Sequence, residues 1–388
     1  MTRGTPKPDG ARWALMFGNF VIGCGVMSVA GTLNDLARSL GVSVALAGQL
    51  IAIAAVTMAI GAPLLAGWVS GFDRRRLLAA ALLWYAAGHA LSALMPTYAA
   101  LWPVRAITML AAAVFSPQAA AAVGFMTPPQ ERARAITFIF LGWSIASVVG
   151  LPLSAWIGET LGWAVAFNAI ALLALIAAIW VYRVVPDGVR PAALSLKAWK
   201  GVLTHPVLMA MVLVTALSGA GQFTLFSYMA PYYRQQLNAN PEQITLLLMW
   251  FGVFGVIGNL VLTRVIDRIG PNVAVAVAML LMTVTMIAWP LGTGFISVAL
   301  VIVPWGLGCF ASNSTQQARL GMAAPALAPA LLALNTSAIY HGQAAGAAGG
   351  GWLIAHAGFG PLNWVGLAWL AAAIALSAWA GSRRVVFA

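Results

Sequence analysis

Residues 163–182, WAVAFNAIALLALIAAIWVY, run for twenty positions without a charged side chain before Arg183. About 20 predominantly apolar residues in a helix cross the roughly 30 Å hydrocarbon core of a bilayer. The stretch therefore reads as one membrane crossing, near 162–184, and the rest of the chain shares its character. Of 388 residues, 62% are hydrophobic and 7% are charged, where a soluble domain carries roughly 25% charged residues. About 240 apolar side chains correspond to about twelve crossings, and so few charges could not cover a globule with solvated surface. A soluble protein is excluded.

Pro, Gly and charged residues punctuate the remaining crossings. Five fall before this one, near 13–36, 44–70, 77–95, 98–124 and 134–158. Six fall after it, near 206–233, 243–266, 272–290, 294–318, 327–355 and 361–381. Several exceed what a bilayer needs, which implies tilt or protrusion. Residues 186–205 hold Pro186, Pro191, Lys197 and Lys200 without a long apolar run and read as a linker. The expected organisation is a tail at 1–12, a six-helix bundle at 13–185, the linker at 186–205, a second six-helix bundle at 206–382 and a tail at 383–388. The fold class is an all-α membrane protein, twelve transmembrane helices in two pseudo-symmetric six-helix bundles.

The net charge of +12 would suit a polyanion partner if it were concentrated on one face. It is instead dispersed over loops. Seventeen of the 20 Lys and Arg, among them Arg12, Arg74–Arg76, Arg132, Arg183, Lys200, Arg264, Arg268, Arg319 and Arg383, fall on one side of the proposed topology. Arg38 and Arg234 fall on the other, and Arg105 lies within a crossing. Short basic loops stay in the cytoplasm, so both termini are expected there, and no nucleic-acid partner is expected. Cys24 and Cys309 sit in apolar runs and do not suggest a disulfide. The run Trp13–Leu33 is longer than the core of a cleaved signal peptide.

Internal repetition supports two halves. Asp73-Arg74, after the second crossing, recurs as Asp267-Arg268 after the eighth. Crossing five carries small residues at i+4 spacing (Gly142, Ala146, Gly150, Ser154, Gly158), and crossing eleven carries Ala338, Gly342, Gly346 and Gly350. Such stripes let helix backbones approach closely. They fit either static packing or a moving seam, and the repeated halves tip the reading toward motion about a midplane site.

Several longer stretches now become telling: Gly150-Leu151-Pro152 with Trp156-Ile157-Gly158-Glu159-Thr160-Leu161-Gly162-Trp163; Gly219-Ala220-Gly221-Gln222-Phe223-Thr224; Gly258-Asn259; and Leu334-Asn335 leading to Tyr340 and Gly342-Gln343. With these the chain resembles the major facilitator superfamily over nearly its whole length, and within it the bacterial arabinose-efflux-like permeases among the twelve-span drug:proton antiporters. The resemblance implies alternating access, efflux across a bacterial inner membrane and proton coupling. The departures are specific. In the loop motif Gly-x-Leu-Ala-Asp-Arg-x-Gly-Arg-Arg aligned on Gly67, Gly71 and Phe72 replace the Asp and Arg, Asp73 comes two residues late, and Arg75 and Arg76 match. Val26 stands where many relatives carry a span-one Glu. Leu151 is inserted between Gly150 and Pro152, which the antiporter pattern places together.

An ionisable group at mid-bilayer is a functional candidate by default. Arg105 lies eight residues past Thr97, about 12 Å along a helix, and matches the buried Arg of the family's span-four motif; it is a coupling candidate or a clamp on backbone carbonyls. Asp35 and Glu159 end crossings one and five, and His89 and His341 lie inside apolar runs. They complete the coupling candidates, against the alternatives of solvated helix-end charges and hydrogen-bonded core histidines. In the family, spans one, four, seven and ten line the cavity. The polar residues there include Asn19, Gln118, Gln222, Tyr228, Asn313 and Gln316, and with Trp250 these are the substrate-binding candidates, each also able to serve as a helix-to-helix hydrogen bond. Gly67, Asp73, Arg75, Arg76, Gly150, Pro152, Asp267, Arg268, Gly342 and Gly346 are the conformational positions.

No residues have metal-ligand spacing or form a catalytic constellation, so neither an enzyme nor a metal site is expected. No cofactor is expected, the proton gradient serving as energy source. The expected partners are a small-molecule substrate and the lipid bilayer, with the chain working as a monomer. The function expected is secondary active export of a small organic molecule: a sugar, nucleoside, drug-like compound or anionic metabolite. The missing span-one carboxylate keeps an uncoupled facilitator or a non-transporting sensor as the alternative.

Overall fold

The computed structural model describes the backbone of residues 8–69, 71–128, 132–190, 196–324 and 327–383. Every regular element among them is helical. The N-terminal half comprises α1 (Pro8–Ser39), α2 (Val44–Trp68), α3 (Arg74–Ala93), α4 (Tyr98–Met126), α5 (Arg132–Ile145), which runs through a π turn (Ala146–Gly150) into α6 (Leu151–Thr160), and α7 (Trp163–Val184). A short helix, α8 (Leu196–Leu203), lies within the expected linker. The C-terminal half comprises α9 (Pro206–Phe226), α10 (Met229–Gln236), α11 (Pro241–Ile269), α12 (Pro271–Ala288), α13 (Phe295–Ala323), α14 (Ala328–Ala357) and α15 (Leu362–Gly381). The pairs α5–α6 and α9–α10 each make one interrupted crossing, so there are six crossings per half. Ten of the twelve are long and apolar enough to span a membrane by composition. The other two are α3, which opens on three arginines, and the Gly- and Ala-rich α14. An even number of crossings among the described residues places Pro8 and Gly381 on one face, the terminal face; the other is the distal face.

The first helix begins at Pro8, five residues before the expected first crossing at Trp13. The Leu151 insertion has a structural counterpart in the π turn. The Leu151 N–H bonds the Ala146 carbonyl five residues back, and a π turn accommodates one extra residue within an α-helix. Pro152 follows in the first turn of α6, where its missing N–H leaves little unsatisfied.

The small-residue stripes pack inside each half. A Cβ on Gly142 would lie 2.5 Å from Phe20 N, one on Gly158 2.8 Å from Thr32 Cγ2, and Gly150 faces Cys24, all on α1. A Cβ on Gly346 would lie 2.8 Å from Thr224 N, and Gly342 faces Ala216 and Ala220, all on α9. The contacts α5/α6–α1 and α14–α9 are equivalent under the pseudo-symmetry of the halves. The stripes therefore pack within each bundle and not across the two halves. Between the halves, α14 packs on α2, α11 on α6 and the π turn, and α10 on α1. Gly252 of α11 abuts the Ser147 and Val148 backbone, and Gly48 of α2 and Gly351 of α14 enclose the ring end of Tyr228.

The basic loop after α2 packs on the end of α7 and the first residues of the linker. Asp73 caps α3 through Arg76 N (3.3 Å) and accepts from Gly188 N (2.6 Å). Arg75 donates to the Tyr182 carbonyl (2.6 Å), pairs with Asp187 (3.1 Å) and lies over the Tyr182 ring. Its second-half counterpart is built differently, because α11 continues to Ile269 and so takes Asp267 and Arg268 into its last turn before Gly270 turns the chain at φ +79°. The side chain of Asp267 and the surroundings of Gly67 lie outside the described residues. Arg319, assigned above to a basic loop, is buried in α13 and donates twice to Ser377 of α15, to Oγ at 2.9 Å and to the carbonyl at 3.0 Å.

Candidate functional site

Arg105 is wholly buried in the N-terminal half. It donates to the Gly25 carbonyl of α1 (2.5 Å) and to His89 Nε2 of α3 (3.0 Å), and its guanidinium lies 5.4 Å from the centre of the Phe167 ring of α7. Arginine has no acceptor, so Nε2 must be the unprotonated nitrogen and Nδ1–H donates to the Tyr85 carbonyl (2.9 Å). The neutral tautomer of His89 is thereby fixed. The Tyr85 hydroxyl, in turn, donates to the Ile22 carbonyl (2.9 Å). Arg105, His89 and Tyr85 thus clamp α1, α3, α4 and α7, and the structure brings Arg105 and His89 together but apart from the other coupling candidates.

Asp35 is largely buried, accepts from Trp163 N at the start of α7 (2.8 Å) and pairs with Arg38 (2.5 Å). Anions at a helix N-terminus are favoured by the exposed N–H groups there. His341 lies on the exposed face of α14 with Ala345 and Trp352, its ring nitrogen 2.9 Å from the Ser337 carbonyl. Glu159 has the most unusual surroundings. Its side chain is 2% exposed and sits at the distal end of α6, paired with Arg234 of α10 at 2.8 Å across the two halves. Its other oxygen accepts from Asn34 of α1 (2.6 Å).

The substrate-binding candidates divide into two groups. Asn19 is fully engaged: it donates to the Ile139 carbonyl (3.1 Å) and accepts from Ser116 (2.7 Å), which also accepts from Trp143 (3.4 Å). Tyr228 donates to the Ala347 carbonyl (2.7 Å), and Trp250 is partly exposed and donates to the Ala299 carbonyl (2.9 Å). Gln118 and Gln316 are buried with their carbonyl oxygens unpartnered among the described residues, and Asn335 is buried with its amide nitrogen unpartnered. Gln316 donates to the Met211 carbonyl, and Asn335 accepts from Thr215 (2.6 Å). Gln222 is buried, and Asn313 is half-buried. Gln118, Gln316 and Asn335 each lie seven or eight residues from the terminal-face end of their helix, about 10–12 Å at 1.5 Å per residue. Buried polar groups are normally paired, and these three are exceptions at a similar depth on helices of both halves. Asn335 was singled out in the sequence only as part of a family stretch, and Asn34, Gln49 and Arg234 had no local signal, since their partners lie 125, 299 and 75 residues away.

Twelve helical crossings among the described residues, in two halves with intra-half glycine seams at equivalent positions, define the architecture. The family model described as Major Facilitator Superfamily matches residues 15–328. The chain belongs to the major facilitator superfamily. It is 33% identical over 349 residues to the inner membrane transport protein YdhP of Escherichia coli K12, covering 89% of each chain. It is 27% identical over 354 residues to a probable sugar efflux transporter of Mannheimia succiniciproducens, covering 91% of this chain and 89% of that one. The human organic anion transporter MFSD10 (TETRAN) has the same fold, with a TM-score of 0.74 at 16% identity over 96% of this chain and 100% of that one. The protein is an integral inner-membrane transporter of this superfamily.

Proposed function

We propose that this transporter exports a small, neutral, hydroxyl-bearing organic molecule, with sugars as the leading class, in exchange for protons. The observation that carries the substrate class is the set of unpartnered neutral polar groups on Gln118, Gln316 and Asn335 at one depth below the terminal face. Uncharged amides bind hydroxyls and carbonyls without the cost of burying an isolated charge. Arg105 donates to Gly25 and His89 within its own half. The name of the sugar efflux relative points the same way. In this reading the basic terminal face is cytoplasmic, the distal face is periplasmic, and a single chain suffices.

Exchange requires that the two halves alternate in exposing the site. The test uses proteoliposomes loaded with a pH dye under an imposed proton gradient, challenged with sugars, nucleosides, organic acids and amphiphilic cations. A neutral polyhydroxylated compound is expected to dissipate the gradient in a protein-dependent way. Flux without proton movement would replace antiport by the facilitator reading, and preference for a lipophilic cation would reject the substrate class.

A further inference from the structure

The distal contact between the halves is built around one charge pair. Arg234 sits on the short helix α10, separated from α9 by the break at Ser227-Tyr228. Its NH2 donates to Glu159 Oε2 (2.8 Å) and its NH1 to the Ala239 carbonyl (3.2 Å). Glu159 Oε1 accepts from the Asn34 amide, which also reaches the Ala230 carbonyl of α10 at 3.4 Å. Three crossings from both halves therefore meet on one carboxylate. Around it, Gln49 of α2 donates to the Ala348 carbonyl of α14 (3.4 Å), and the Tyr228 ring fills the socket between Gly48 and Gly351.

We propose that Glu159, Arg234 and Asn34 form a charge latch that holds the distal face shut, and that Glu159 is the acid whose loss of charge releases it. This rests on the export reading above, in which the distal face must open to discharge substrate. Both Glu159 oxygens accept hydrogen bonds from the opposite half or from α1, so a neutral side chain there loses the attraction that draws α10 onto α6. The other charged groups on the packed elements have their own arrangements. Asp35 on α1 is held by Arg38 and Trp163 N, and Glu242 at the start of α11 is exposed. The latch is asymmetric. The Glu159 side chain is 2% exposed and that of Arg234 is 37% exposed, so Arg234 alone can be solvated in the closed state whereas Glu159 alone cannot.

The experiment is a spin-label distance measurement between Leu94→Cys and Leu291→Cys, exposed positions at distal turns of the two halves, with the native cysteines buried. Glu159→Gln is expected to move population to longer separations, and Arg234→Gln to move more, because it leaves a buried carboxylate without its cation. The exchange Glu159→Arg with Arg234→Glu is expected to restore the short distance. If Arg234→Gln does not fold, Asn34→Ala supplies a smaller shift in the same direction. Wild-type distance distributions in Glu159→Gln and Asn34→Ala would overturn the latch. The measurement needs neither substrate nor flux, so absence of transport for every compound would reject the export reading while leaving this result standing.

Discussion

Alanine at Gly252 would put a methyl group against the backbone of the opposite half. The new Cβ would lie 2.7 Å from the Ser147 carbonyl oxygen, 2.9 Å from Val148 Cα and 3.1 Å from Ser147 C. Carbon atoms pack best at about 3.5–4.0 Å, so α11 and the π turn must separate by about 0.5–1 Å, and the obstructing atoms are backbone that cannot rotate away. Overpacking of this kind costs about 1–3 kcal/mol. Because the contact joins the halves in the distal-closed state, the cost falls on that state alone and converts to a shift of about 5- to 150-fold toward distal-open molecules. Gly346→Ala is the control. Its Cβ would meet Ala220 O at 2.5 Å, Thr224 N at 2.8 Å and Phe223 C at 2.9 Å, an even tighter approach, but on α9 of its own half. That contact persists when the halves rock, so its cost lowers overall stability and leaves the conformational equilibrium in place. Distal spin-label distances and thermal unfolding in detergent, measured on both variants, separate the two effects. A fall in melting temperature with unchanged distances in Gly252→Ala, or distal opening in Gly346→Ala, would refute the assignment of one seam as moving and the other as fixed.

Arg105→Lys keeps the charge but cannot reach both Gly25 O and His89 Nε2 with one ammonium in the geometry of a guanidinium fork. A loss of about 1–3 kcal/mol from the unpaired acceptor is expected in thermal unfolding. Deleting Leu151 removes the residue that the π turn absorbs, so α5 and α6 are expected to join as regular α-helix with Glu159 still facing Arg234, and the distal spin-label distance is expected to stay that of the wild type. Gln118→Met removes a buried, unpartnered carbonyl oxygen, so thermal stability is expected to hold or rise by about 1 kcal/mol while substrate affinity in the proteoliposome assay falls. Gly48→Leu fills the socket of the Tyr228 ring, and the distal spin-label distance is expected to lengthen.

Composition alone determined that this chain lives in a bilayer, because 62% apolar and 7% charged residues cannot be arranged as a soluble surface. The crossings were legible for the same reason: a helix in lipid satisfies its own backbone, so span length is a local property written in the run of apolar residues. The two-half organisation was legible from the linker and the repeated stripes. The partners of individual side chains were not. Glycine spacing reports that a helix has a narrow face, but not whether that face meets α1 of its own half or α6 of the other, and only the packed structure put Gly142 and Gly346 against their own halves and Gly252 against the opposite one. Arg105 and Glu159 both read as ionisable residues near apolar runs. Tertiary structure gave the first a carbonyl and a neutral imidazole within one half and gave the second an arginine from the opposite half, 75 residues away in sequence. The strength and role of a charge in lipid are set by what it touches through space, and that is decided only when the helices pack.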